Sequence, residues 1–327
     1  MSKLHKTLAT ILVALSLLGI FSTFTNNQKD STLPLIAIAN YGPHSSLQET
    51  IDGLKAKLAQ LGYIEDKTIR YEIADVNFET SLIIQMLNKL KSSKPRIIVA
   101  ISTPIAQAVK NIIKDIPVVY ADVTDPVEAG LVSDDPNSNI TGASDKQDLS
   151  LMLKLAKQLL PSAKKVGILY STGEANDLSL VNMLIATGKE LGLEVVSVPV
   201  EHTRDVVTRM KLFKDNVDFI YTGSSGAIQA SLPAIASAAY SMQLPLFNFN
   251  GEEVISHTAL ASYGVSHKQV GANAAIIIDK LLNGEKTSNI KPIYPKEVDH
   301  KAFISRKRAD KIGLKIPATL PNVTIVD

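Results

Sequence analysis

The sequence predicts an α/β protein with two Rossmann-like lobes, each built on a parallel sheet. Segments typical of strands and helices alternate strictly along the first half of the chain, which is the pattern of a parallel sheet with helices on both faces. The strand-like segments are short, unbroken apolar runs, many of them rich in β-branched residues, as expected for strands buried on both faces. With 327 residues, 45% of them hydrophobic, the chain is long enough for two domains with their own cores.

The region 96–130 contains the central β-α-β unit of the first half. Residues 97–101 predict one buried strand, and Pro117 opens the next. Between these strands, Thr103 supplies an N-cap hydroxyl and Pro104 suits the first helical position. Because the strand end adjoins a helix N-terminus, unpaired N–H groups and the positive end of the helix dipole meet there. We therefore expect half of a binding cleft at this point, suited to a ligand carboxylate or another anion.

The other elements follow from the same periodicities and from capping and breaking residues. In the first half we expect strands at 35–39 and 68–73, a helix that Ser45 or Ser46 caps and Gly62 ends, and a helix at 78–91. After a polar loop at 133–139 and a crossing strand at 140–142, the expected helices are 149–160, 178–191, 204–213, 227–242 and 268–282, and the expected strands are 166–170, 194–200, 219–222, 244–249, 259–262 and 291–298. Pro233 should break or kink the helix in which it falls.

The two halves of the chain echo each other. Residues 101–108 with 116–120 resemble residues 221–230 with 244–248, each reading as strand, hydroxyl cap, helix, X-Pro and strand. Ligands of open α/β sheets bind at the carboxyl ends of the strands. Two such sheets facing each other would form one ligand cleft that closes about a hinge.

We expect the chain to cross this three-strand hinge near residues 142–145, 254–258 and 284–290. The predicted domain limits are 1–28 for a signal peptide or N-terminal anchor, 29–143 plus 258–287 for lobe 1, and 144–257 plus 288–327 for lobe 2.

The N-terminus has the layout of a secretory signal. Lys3 and Lys6 precede an apolar run at 8–20, and the next charge is Lys29. The run borders on the length of a membrane helix, so residues 7–25 could instead remain as an uncleaved anchor. Either reading predicts a periplasmic or other extracytoplasmic location.

Composition and motifs exclude several classes of function. The net charge of +2 does not resemble a nucleic-acid binder, and the basic residues at 306–315 are best interpreted as a solvated helix face. The absence of cysteine excludes thiol catalysis, disulfides and cysteine-type zinc sites. The six histidines lack metal-ligand spacing, and no phosphate-binding loop or nucleophile elbow occurs in the sequence. We expect no enzyme activity, no cofactor and no metal.

Several polar residues have two interpretations. Asp122 and Asp125 could act as an acid/base pair, but a turn at Asp125 is favoured. Glu174 and Asn176 precede or begin a helix, either as caps or as cleft contacts. Tyr41 either lines the cleft or packs at a strand end.

The strings T-P-x-A-x-A at 103–108 and V-T-D-P-V-x-A-G-L-V at 123–132 are specific. Together with N-I-T-G-A-S-D at 139–145 and V-G-I-L-Y at 166–170, they resemble the ABC transporter substrate-binding protein family that includes tryptophan- and tyrosine-binding members. The resemblance covers residues 33–317. It implies a type I periplasmic-binding-protein fold, no catalysis, and an ABC permease with its ATPase as partners.

The chain departs from the family pattern where acidic residues would bind an α-ammonium. Ser224-Ser225-Gly226 and Phe249-Asn250-Gly251 stand at those two places, which predicts a ligand less cationic than an amino acid. The candidate ligand-binding residues are Tyr41, Ser102, Thr103, Ala121, Val123, Thr124, Glu174, Asn176, Ser224, Ser225, Asn248 and Asn250.

The leading hypothesis is a monomeric extracytoplasmic solute-binding protein of an ABC importer, which captures a carboxylate or an aromatic amino-acid-like compound. It would contact the membrane through the permease. The alternative hypothesis is a ligand-sensing module that signals to a membrane partner without transport.

Overall fold

The structure is a computed structural model that describes residues 33–327. The first lobe is built on five parallel strands: β1 (Leu35–Asn40), β2 (Arg70–Asp75), β3 (Ile97–Ile101), β4 (Val118–Val123) and β5 (Ile140–Ser144). They lie in the order β2-β1-β3-β4-β5. Every residue of β1, β3, β4 and β5 is buried, as the unbroken apolar runs predict.

The second lobe is built on seven strands: β6 (Lys165–Tyr170), β7 (Glu194–Pro199), β8 (Phe219–Thr222), β9 (Leu246–Asn248), β10 (Ala261–Val265), β11 (His300–Ser305) and β12 (Val323–Val326). Their order is β12-β11-β10-β9-β8-β6-β7. Strands β10 and β11 pair antiparallel, whereas the other neighbouring strands of this sheet pair in parallel.

Helices cover both sheets. In chain order they are α1 (Ser45–Gln60), α2 (Ile83–Ser92), α3 (Thr103–Ile112), α4 (Leu149–Leu159), α5 (Ala175–Glu190), α6 (Val206–Met210), α7 (Gly226–Ala230), α8 (Leu232–Ser241), α9 (Glu252–Ile255), α10 (His267–Leu282) and α11 (Arg306–Lys311). Helix α10 packs along α1 in the first lobe, where the two backbones approach closely. A Cβ at Gly53 or Gly271 would lie within 2.2 Å of a backbone oxygen of the facing helix, so this packing requires glycine at both positions.

The chain passes between the two lobes three times. The first crossing follows β5, the second joins β10 to α10 at Ser266, and the third follows Ile293, whose N–H still bonds to Gly142 in the first sheet. The first crossing agrees with the expected position near 142–145. The second and third lie later in the chain than expected.

The predicted domain limits differ from the observed pairing at two places, and the shorter one is 288–293, which was assigned to lobe 2 although Ile293 bridges Ala143 of the first sheet. Residues 258–265 were assigned to lobe 1, but β10 pairs with β9 and β11 of the second sheet. The crossing predicted at 254–258 therefore lies after Val265, because the chain must complete this strand before it leaves the second lobe.

The helix break predicted at Pro233 is confirmed, since α7 ends at Ala230 and α8 begins at Leu232 with the proline in its first turn. The strand predicted at 291–298 is wrong. Ile293 makes an isolated bridge to Ala143, and the last two strands lie further along the chain. The helix predicted at 204–213 is instead α6 flanked by two 3₁₀ turns.

The signal-peptide or anchor prediction falls outside the described residues. Within 33–327, no helix combines the length and the apolar character needed to cross a membrane.

Candidate ligand-binding site

A cavity lies between the two lobes, at the carboxyl ends of their strands. Six of the predicted site residues line it: Tyr41, Ser102, Thr103, Thr124, Asn176 and Ser224. The expectation of a ligand cleft formed by both lobes thus has a physical counterpart.

The first-lobe wall is formed where β3 and β4 end. Ser102 has φ +83° and ψ 152°, and Asp122 has φ +53°. Non-glycine residues rarely adopt these backbone conformations, and the surroundings must hold them in place. Such strain is concentrated at functional sites, and here it occurs at two neighbouring strand ends that face the cavity.

The hydroxyl of Thr103 is not used by the helix that it begins. Ser102, not Thr103, is the N-cap of α3, and no side-chain hydrogen bond caps this helix in the described part of the chain. The prediction that Thr103 caps α3 is therefore wrong. Its Oγ1 is buried and has no hydrogen-bond partner among residues 33–327. Capping thus does not account for this hydroxyl, and it is available to a ligand together with the first-turn N–H groups.

The equivalent helix end in the second lobe already binds acidic groups of the chain itself. Oδ1 of Asp177 accepts the N–H groups of Ser224 (2.6 Å) and Ser225 (2.9 Å). Oε1 of Glu174 accepts the N–H of Gly226 (2.9 Å) and the hydroxyl of Tyr41 (3.1 Å). Burial, with the nearby charge of Asp177, raises the pKa of Glu174 to about 7. The backbone N–H groups of this second helix end are thus satisfied internally, although the hydroxyl of Ser225 has no partner among the described residues.

The two lobes are closed on each other by direct hydrogen bonds. Tyr41 reaches across to Glu174 (3.1 Å), and Ser45 accepts from Nδ2 of Asn250 (2.9 Å) and donates to Glu253 (3.1 Å). Gly226 packs against aromatic rings of the first lobe. A Cβ there would lie 2.9 Å from atoms of both Tyr41 and Phe78.

Six of the predicted residues do not form the cavity wall. Ala121 and Val123 are fully buried in the hydrophobic core of the first lobe. Ser225 donates its N–H to Asp177, and Asn248 donates to Thr222 and accepts from the N–H of Asn250. Asn250 joins the lobes through Ser45 rather than facing the cavity. Glu174 lies at an adjoining groove, where it bonds Tyr41. As ligand contacts, all twelve residues remain predictions.

The two aspartates at the end of β4 have different roles. Asp125 accepts the N–H groups of Val127 and Glu128, both at 3.1 Å, and pairs with Lys146 at 2.6 Å. The turn interpretation of Asp125 is thus confirmed. Asp122 instead accepts from the hydroxyl of Thr50 at 2.6 Å and lies 3.0 Å from Nδ1 of His267.

Sequence reasoning missed ten residues that also line the cavity: His44, Ser46, Leu47, Phe78, Asp122, Asp145, Gly226, Gln229, Phe249 and His267. Asp145 lies at the first crossing between the lobes, and His267 follows the second. Because the second crossing was predicted too early in the chain, the sequence did not indicate that these two residues lie close together. Potential metal-ligand atoms of Asp122, Asp145 and His267 lie within 4.8 Å of one another. The lack of acidic residues at Ser225 and Asn250 therefore does not leave the cavity without carboxyl groups, because Asp122 and Asp145 supply them.

A two-lobed α/β protein that encloses a polar cavity at its strand ends belongs to the class of solute-binding proteins with the periplasmic-binding-protein fold. The family model described as "ABC transporter substrate binding protein" matches residues 35–323. The chain belongs to this family, which is named for substrate binding rather than for catalysis.

Individual relatives agree with the family. The chain is 31% identical over 257 residues to a tyrosine-binding protein of Clostridioides difficile, covering 78% of this chain and 74% of that protein. It is 27% identical to an ABC domain from Streptococcus pneumoniae in complex with L-Trp, with a TM-score of 0.84 over 90% of this chain and 100% of that one.

A third relative adds information on conformation. A ligand-free, open substrate-binding protein with adhesive properties from Clostridium difficile is also 27% identical, but its TM-score is 0.68 over 90% of this chain and 99% of that one. The present structure is thus more similar to the L-Trp complex than to the open form, in keeping with its hydrogen bonds between the lobes.

Proposed function

We propose that this protein captures an aromatic amino acid, or a closely similar compound, in the cavity between its lobes and delivers it to an ABC permease for import. The permease would use its own ATPase, and the binding protein would act outside the cytoplasm, either after cleavage of the N-terminal segment or held at the membrane by residues 7–25. The proposal takes the ligand class from the relatives named for tyrosine and for bound L-Trp.

The observation that carries the proposal is the contrast between the two helix ends at the cavity. In the first lobe, Thr103 presents a buried hydroxyl without a partner in the described chain at the N-terminus of α3. In the second lobe, Asp177 and Glu174 already accept the corresponding N–H groups. A ligand carboxylate should therefore dock beside Ser102, Thr103 and Thr124, where donors are available and no carboxylate among the described residues accepts from them.

The rest of the cavity suits an aromatic side chain. The rings of Tyr41 and Phe78 meet edge to face with centroids 5.5 Å apart, and Phe249 lies 5.9 Å from the ring of His267. All four rings line the cavity. An aromatic ligand could bury its ring among them and gain both apolar burial and edge-to-face contacts.

The experiment is a calorimetric titration of the purified protein, after unfolding and refolding to remove co-purified compounds, with L-tyrosine, L-tryptophan and L-alanine. We expect one molecule of at least one aromatic amino acid to bind with a Kd of about 1 µM or tighter, and L-alanine to bind at least about 100-fold more weakly. Failure of both aromatic amino acids to bind at about 1 mM would contradict the proposed ligand class.

A further inference from the structure

A buried acidic group of the cavity wall lacks a hydrogen-bond partner within the described chain. Asp145 follows β5 at the first crossing between the lobes, lines the cavity, and is only 7% exposed. Its Oδ1 has no hydrogen-bond partner within the described chain. A buried carboxylate oxygen without a partner is costly unless a positive or hydrogen-donating group meets it.

The surrounding groups leave the negative charge of ionised Asp145 unbalanced. Asp122 has a close partner at each oxygen, since Thr50 donates to Oδ2 at 2.6 Å and Nδ1 of His267 lies 3.0 Å from Oδ1. Burial acts to lower the pKa of His267, but the charges of Asp122 and Asp145 outweigh it and raise this pKa. A protonated His267 would offset one of the two carboxylates, so Asp145 in its ionised form would leave the cluster with one net negative charge.

The number of groups free to bind a cation distinguishes a metal ion from an ammonium group as the partner of Asp145. In the cluster as described, one oxygen of Asp145 and Nε2 of His267 lack a partner. These two residues are fewer than the three or four protein ligands that hold zinc, and both oxygens of Asp122 already have partners. A singly charged ammonium group, by contrast, needs one carboxylate and balances the single charge.

We propose that Asp145 binds the amino group of the ligand, replacing the acidic residues that Ser225 and Asn250 do not supply. This inference rests on the proposed function, because it assigns one end of an amino acid whose carboxylate binds beside Thr103. Burial and the negative charge of Asp122 raise the pKa of Asp145 to about 7, while His267 acts to lower it. Asp145 also acts on Tyr221 of β8, whose buried phenol has its pKa raised. A bound ammonium would favour the ionised form of Asp145.

The test compares L-tyrosine with 3-(4-hydroxyphenyl)propanoate, the same compound without its amino group, by calorimetry near pH 7.5. For the unmodified protein we expect L-tyrosine to bind about 100-fold more tightly. Asp145→Asn should reduce this preference to about fivefold or less. The matched control is Asp125→Asn, which changes a carboxyl group of the neighbouring turn outside the cavity wall and should keep the full preference.

The outcomes separate this inference from the proposed function. If the unmodified protein binds both compounds equally well, or Asp145→Asn keeps the full preference, the amino-group assignment is overturned while the aromatic ligand class stands. If it binds neither compound, the proposed ligand class fails and the assignment fails with it. Stoichiometric binding of Zn²⁺ alone that Asp145→Asn abolishes would overturn the assignment in favour of a metal site.

Discussion

The two helix N-termini at the cavity arise from similar stretches of sequence, but only the second has its backbone N–H groups bound by carboxyl groups of the described chain. At α3 in the first lobe, Thr103 keeps a buried hydroxyl that no described residue satisfies. At α7 in the second lobe, the N–H groups of Ser224, Ser225 and Gly226 all donate to carboxyl groups of the chain. Both segments read as strand, hydroxyl residues and helix, so the difference comes from residues outside the repeat.

Asp177 and Glu174 are those outside residues, and α5 brings them to the second-lobe helix end. They supply the negative charge that a ligand anion would otherwise provide. The comparison therefore assigns a different task to each lobe. Under the proposed function, the first lobe binds the ligand anion, and the second lobe closes over it with backbone N–H groups that carboxyl groups of the chain already accept.

The largest expected effect is on stability at the second helix end. Asp177→Ala should leave the N–H groups of Ser171, Ser224 and Ser225 without their acceptor, which should lower the free energy of unfolding by about 4 kcal/mol. Thr103→Val, the matched change at the first helix end, should cost less than about 1 kcal/mol because its hydroxyl has no partner in the described chain. Urea denaturation of the ligand-free protein measures both. Equal losses would remove the distinction between the two helix ends.

The next effect concerns closure of the second lobe. In Gly226→Ala, the new methyl would lie 2.9 Å from ring atoms of Tyr41 and Phe78, so the lobes could not close fully. Affinity for L-tyrosine should fall by about 30-fold, equivalent to about 2 kcal/mol. Small-angle scattering should show less compaction on ligand addition than in the unmodified protein.

Gly173→Ala is the control for closure, because a Cβ there would have only Ser171 Oγ nearby, at 3.7 Å. It should bind and compact normally. Full compaction of Gly226→Ala with L-tyrosine would argue against closure at this contact.

A smaller effect is a pH dependence from Glu174. Its pKa is raised to about 7 in the folded protein by burial and by Asp177, so the folded state holds this proton more tightly than the unfolded state. The contribution to stability is therefore present at low pH and is lost as the pH rises towards 7. Relative to Glu174→Gln, the unmodified protein should lose between about 1 and 2 kcal/mol from pH 5 to pH 8. Paired urea titrations at the two pH values measure this difference, and a constant difference would contradict the assigned shift.

Local patterns were sufficient to predict several elements of both lobes. The strand predicted at 97–101 matches β3 residue for residue, and the helix break at Pro233 occurs where it was expected. These features depend on apolar runs and on proline, which act within a few residues of themselves.

The parts that were missed depend on contacts between distant residues. Strand β10 is a short apolar run that could join either sheet, and only its pairing with β9 and β11 assigns it to the second lobe. Asp122 and His267 are 145 positions apart, so no spacing rule connects them. Asp177 accepts N–H groups at the second helix end because α5 packs beside it. Hydrophobic periodicity does not specify this packing.

The most direct test of this account is the affinity of Thr103→Asp for L-tyrosine, compared with that of Thr103→Asn. The two variants have side chains of nearly the same size, so the difference between them isolates a negative charge at the first helix end. If the ligand carboxylate binds there, Thr103→Asp should bind at least about tenfold more weakly, or about 1.4 kcal/mol, than Thr103→Asn in calorimetry near pH 7.5. Equal affinities of the two folded variants would contradict the claim that the first lobe binds the ligand anion.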